Sequence, residues 1–120
     1  MEEQRDWSIV FYVEESGQEP VRAFLQSLDP KTQTRFSWSI EQLRIRNTQA
    51  REPLGRHLEG KLWEIREESG TNIYRIMYFF FTGRRIVFVH GFQKKTRKTP
   101  RREIDTALER MQRFIRREGE

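Results

Sequence analysis

Arg75 stands in the middle of "NIYRIMYFFF" (72–81), a run otherwise almost entirely apolar. A charge in such a setting must be paired or must serve a ligand. A guanidinium presents a rigid fork of donors that matches the oxygens of a phosphate. Other residues of fitting type recur around it: Arg66 in "KLWEIREE" (61–68), His90 and Phe92 in "RRIVFVHGF" (84–92), and Lys94, Lys95, Arg97 and Lys98 immediately afterwards. From Arg84 to Arg102 there are eight Lys or Arg and no Asp or Glu, a density that attracts phosphates through counterion release. A solvated surface that keeps a small protein in solution is the plainer reading of such a run.

Strands must position these groups, and their faces alternate with period two. The turn signals "SGT" and "TG" separate three strand-like runs, 61–68, 72–81 and 84–92, as a meander. With Thr82 and Gly83 as a two-residue loop, Phe81 opposes Arg84 and Arg75 opposes His90. Tyr74, Ile76, Tyr78, Phe80, Val87 and Val89 then share the other face, which should pack on the helices. A two-residue loop at Ser69 and Gly70 places Glu64 opposite Arg75 and Arg66 on the same face; a three-residue loop would reverse that. On the first register Arg66, Arg75, His90, Phe92 and Lys94 converge on one concave patch, with Glu64 available to orient or pair Arg75.

The rest of the chain supplies the framework. "WSIVFYV" alternates Trp7, Ile9, Phe11 and Val13 and predicts a strand. "EPVRAFLQSL" and "DPKTQTRFSWSIEQLRIRN" each place a proline in the first helical turn, the second behind the N-cap Asp29, and predict a helical hairpin. Residues 47–60 lack periodicity and read as an irregular loop. "TPRREIDTALERMQRFIRR" aligns Ile104, Ala107, Leu108, Met111 and Ile115 behind Thr99 and Pro100 and predicts a closing helix. The expected fold is α+β: a small, mostly antiparallel sheet, the N-terminal strand plus the three-strand meander, packed against the helical hairpin, with a C-terminal helix.

Length and composition fit one domain spanning residues 1–120, with 35% hydrophobic and 34% charged residues. Residues 1–30 hold seven acids and two basic side chains, which leaves 21 basic and 11 acidic in the remainder. The second part of the chain therefore faces polyanions. Without cysteine there is no disulfide and no thiolate chemistry, and two histidines make a transition-metal site improbable, so no metal and no cofactor are expected. No run approaches the roughly 18 apolar residues of a membrane span, and an acidic N-terminus does not resemble a signal peptide; the expected compartment is the cytoplasm.

The succession "GKLWEIRE", "IYRIMYFF" and "VHGFQKKTRKTPRREIDTALERM" resembles the phage-derived HigB-like branch of the RelE superfamily of toxins from type II toxin-antitoxin systems. The resemblance covers Trp7 to Phe114. It implies a RelE-like single domain and a ribosome-dependent mRNA endonuclease, neutralised by an antitoxin of the helix-turn-helix, HigA-like kind. The family's functional strand positions fall on Arg66, Arg75, Lys94 and Lys95. Metal-free RNA cleavage uses the neighbouring 2′-hydroxyl as nucleophile, so a protein must align it, take its proton, stabilise a phosphorane and protonate the leaving oxygen. Arg75 would clamp the phosphate, and Arg66, Lys94 and Lys95 would share the developing charge. Many relatives carry a tyrosine or histidine near the C-terminus; this chain has neither after Phe92, which leaves His90 as the acid-base group, or His57 leaning in from the loop. Lys61, Phe92, Arg97, Lys98, Arg101 and Arg102 complete the expected contacts to mRNA or the ribosome. The alternative is a basic module that holds RNA or an acidic partner without catalysis.

Overall fold

The computed structural model describes residues 6–94 and 98–119 of the chain. Among them the order is β1 (Ser8–Phe11), α1 (Pro20–Gln26), α2 (Pro30–Arg46), β2 (Arg56–Glu59), β3 (Leu62–Ser69), β4 (Asn72–Phe81), β5 (Arg85–Lys94) and α3 (Arg101–Glu118). The strands form one sheet in the order β1-β5-β4-β3-β2, with β1 parallel to β5 and the other neighbours antiparallel. The protein is thus α+β with a mixed sheet. Among the described residues no helix is long and apolar enough to cross a membrane.

Helices cover both faces of the sheet. α1 lies against β5 and α2 against β3, so each helix of the expected hairpin packs mainly on the sheet. Val21, Phe36 and Leu43 meet Ile65, Ile76, Tyr78, Ile86 and Phe88 on that side. On the opposite side α3 lays Ala107, Met111 and Phe114 over Met77, Phe79, Val87 and Val89. The sequence explains α2 directly: Asp29 accepts hydrogen bonds from the Thr32 amide at 3.1 Å and the Thr32 hydroxyl at 2.7 Å, and Pro30 follows at the first position. At α3, Pro100 occupies the cap position itself and no side chain caps the helix, so the expected Thr99 cap is absent.

Three details of register depart from the sequence expectation. The β4–β5 turn has three residues, Thr82 to Arg84, because Gly83 and Arg84 both adopt positive φ, 81° and 57°. Phe81 consequently pairs with Arg85 and Tyr78 with Phe88. A β-bulge then leaves Val89 without a partner, and Met77 pairs with His90 and Arg75 with Phe92. The extra turn residue moves Val87 and Val89 to the α3 side, whereas Ile86 and Phe88 take the α1/α2 side. The bulge shifts the alternation once more, so His90 and Phe92 stay on the α3 side with Arg75.

The β3–β4 turn also differs. Its loop residues are Gly70 and Thr71, which sets Arg66 opposite Arg75 and Glu64 opposite Met77. The displacement is an even number of positions, so Glu64 keeps its face. Residues 56–59, expected to be irregular, form the edge strand β2, with Arg56 opposite Glu64 and His57 opposite Trp63.

Candidate active site

Arg75 is 2% exposed in the middle of β4, on the face that α3 covers farther along. Across the ladder stand Arg66 on β3, and one pair further, Glu64; across from Glu64 on the edge strand is Arg56. Sheet register alone therefore gathers three guanidinium groups around one carboxylate. Glu64 accepts a hydrogen bond from Arg75 Nη1, and Arg56 Nη1 stands 3.8 Å from the same carboxylate oxygen. Arg56, Glu64, Arg66 and Arg75 line a cleft of about 430 Å³, closed on its other side by the segment Glu52, Pro53 and Leu54.

This cluster is not internally satisfied. Glu64 Oε1 and Arg75 Nε are buried without a hydrogen-bond partner, which costs stability and leaves one acceptor and one donor unpaired inside the cluster. Burial pushes the Glu64 carboxyl above its usual range, opposed by Arg75, Arg56 and Lys94. It likewise pulls the Arg75 guanidinium down, opposed by Glu64. Lys94, at the end of β5, is 2% exposed, and burial, reinforced by Arg75, brings its ammonium down to about 8. Its Nζ lies 3.4 Å from Thr99 Oγ1. Arg56, Arg66, Arg75 and Lys94 outnumber the carboxylates of Glu64 and Glu52, the latter 3.8 Å from Arg56 Nε, and the excess positive charge suits a phosphate.

His90 is placed differently. Its Nε2 lies 2.6 Å from Glu103 Oε1, and Arg110 Nη1 donates to Nδ1 at 3.1 Å. A donor at Nδ1 fixes that nitrogen as the acceptor, so Nε2 carries the proton given to Glu103. Arg110 also donates to the Val89 carbonyl at 2.9 Å and pairs with Glu14 at 3.2 Å. Both ring nitrogens are thus occupied by α3, and burial pulls the His90 pKa below its ordinary value. Phe92, 8% exposed, stacks on the His90 ring at 5.5 Å within the α3 core.

The other expected contact residues are dispersed. His57 on β2 has its Nε2 2.7 Å from the Gly60 carbonyl and its ring against Trp63. Lys61 is exposed at the β2–β3 turn, and Lys98 and Arg102 are exposed before and within the first turn of α3. Arg101 pairs with Glu59 at 2.7 Å and Asp105 at 2.9 Å, which straps α3 to β2. Lys95 and Arg97 lie outside the described residues. The sequence reading missed Arg56 because "RHLE" is too short to show a period; the trace it left is Gly60, a turn signal between two runs that each end in Glu.

Comparison with protein-family models matches residues 23–112 to the family described as phage derived protein Gp49-like (DUF891). The chain belongs to this family. Gp49-like proteins form a phage-derived, toxin-like family within the RelE/ParE-like toxin superfamily. The match runs from α1 into α3 and includes every residue of the cleft described above. A search of curated proteins finds no match.

Proposed function

We propose that this Gp49-like protein is the toxin of a type II toxin-antitoxin pair, a cytoplasmic, metal-independent endoribonuclease that cuts mRNA on the ribosome. The observation that carries this reading is the buried Arg75–Glu64 pair in a cleft lined by Arg56 and Arg66, with the Lys94 ammonium near enough to act on both partners of the pair. An arginine in such a pair holds a phosphate through its remaining donors while the carboxylate fixes its orientation.

The reaction follows from the groups present. The 2′-hydroxyl attacks the adjacent phosphorus, forming the P–O2′ bond as P–O5′ breaks. Glu64, whose Oε1 has no other partner, takes the 2′-hydroxyl proton. Arg75, Arg66 and Arg56 donate to the phosphoryl oxygens as charge builds. Lys94, protonated below about 8, gives its proton to the departing 5′-oxygen. The products are a 2′,3′-cyclic phosphate and a 5′-hydroxyl. Two titratable groups driven in opposite directions, a carboxyl raised and an ammonium lowered, divide the roles of base and acid. His90 then serves the fold and not the chemistry.

Neutralisation falls to an antitoxin, of the HigA-like helix-turn-helix kind by the family resemblance. Induction of the wild-type chain should arrest growth and fragment translated mRNA, and Glu64→Gln should do neither. Growth arrest by a folded Glu64→Gln chain would refute the assignment of the base.

A further inference from the structure

Trp38 is an indole 62% exposed on α2, in a helix whose other large apolar groups mostly face the sheet. An isolated exposed aromatic is ordinary. This one stands at the end of a groove of about 340 Å³ floored by Pro53 and Leu54 and edged by Gln42, Arg46 and Arg66. Pro53, Leu54 and Arg66 also line the Arg75 cleft, so cleft and groove adjoin at the 53–54 segment. A neighbouring hollow against Pro53 and Arg66 is lined by Arg35, which donates to the Glu68 carbonyl at 2.6 Å, and by Glu67 and Glu68. The acid on the groove wall, Glu67, accepts from the Ser39 hydroxyl at 2.5 Å. The groove itself thus offers two guanidinium groups, Arg46 and Arg66, against the one carboxylate of Glu67, which is already hydrogen-bonded, with the flat π-surface of Trp38 beside them.

We propose that this groove is a subsite for single-stranded RNA, in which one base flanking the scissile phosphate stacks on Trp38 and its backbone phosphates lie against Arg46 and Arg66. The inference rests on the RNA-cleaving reading of the adjoining cleft and adds the path of the strand. Interleaving of an aromatic platform with arginines is how proteins hold single strands without reading sequence, and stacking contributes about 1–3 kcal/mol per base. An acidic protein segment could also use an exposed indole beside arginines; the shared wall with the phosphate-binding cleft favours RNA.

The test uses a short single-stranded oligoribonucleotide, 2′-O-methylated so that it cannot be cut, titrated into wild type, Trp38→Ala and Trp38→Phe by fluorescence anisotropy. Trp38→Ala should weaken binding about thirtyfold, the middle of the stacking range, and Trp38→Phe should recover most of it. A duplex of equal length should show no dependence on residue 38. The exposed position lets both variants fold, which circular dichroism checks. Equal affinity of Trp38→Ala and wild type for the single strand would overturn the proposal. So would loss of antitoxin binding by Trp38→Ala with oligonucleotide affinity unchanged. If the wild type binds through Trp38 but cuts no mRNA, the cleavage reading falls and the groove stands.

Discussion

At the scale of residues, the cleft concentrates charge that burial makes unfavourable. Arg75 and Glu64 are each about 2% exposed or less, so removing one leaves the other buried and uncompensated. Arg75→Ala should lower the unfolding free energy by about 3 kcal/mol, the low end for a broken buried pair because Arg56 and Lys94 still face Glu64. Denaturant titration measures this. Arg75→Lys should keep the pairing charge but lose the fork, with cleavage falling at least about 100-fold, the scale of one oxyanion donor. Lys94 sets a pH dependence with a definite sign: its ammonium is the acid, so cleavage should decline as pH rises through about 8. The raised Glu64 carboxyl places an acid limb above the usual carboxylate range. A rate that continues to climb above pH 9 would remove Lys94 from the mechanism. His90→Gln, by contrast, should leave cleavage unchanged between pH 5.5 and 8 while costing about 1 kcal/mol of stability through the lost Glu103 and Arg110 bonds.

Elements decide which residues can meet, and here the sequence was legible in part. The helices, the meander and the shared face of Glu64, Arg66 and Arg75 followed from periodicity and turn residues. Two irregularities did not. Arg84 adopts a positive φ that its residue type does not announce, and the bulge at Val89 has no compositional sign because the run "IVFVH" reads as unbroken alternation. Their effects compensate: the longer turn would have reversed the face of His90, and the bulge restores it. The expectation that His90 shares a face with Arg75 therefore held although its register was wrong. Gly91, the next residue, shows why alternation matters there. A Cβ at this position would come within 2.5 Å of the Phe24 ring, so α1 rests directly on the β5 backbone. Gly91→Ala should destabilise by about 1–3 kcal/mol through overpacking, measured by thermal melting.

For the whole molecule, the three-layer arrangement with a mixed sheet gives one face to structure and leaves one end of the other to charge. α3 covers Met77, Phe79 and Val87 but ends short of Arg75, and the 53–54 segment and β2 form the opposite wall. The excess of 21 basic over 11 acidic residues beyond position 30 thus has a local focus as well as a diffuse one. Binding of single-stranded RNA should weaken with salt at a slope of about −0.7 per phosphate neutralised, so contacts to three phosphates predict a slope near −2. The central claim, that the Arg75–Glu64 cleft cuts RNA by 2′-hydroxyl attack, is tested most directly by the ends it leaves. Transcripts recovered from a translation reaction with the wild type should carry 2′,3′-cyclic phosphate and 5′-hydroxyl termini, at least about 100-fold fewer of them when the folded Arg75→Lys chain replaces it. Intact transcripts with the wild type, 5′-phosphate termini, or an undiminished yield of ends from Arg75→Lys would contradict it.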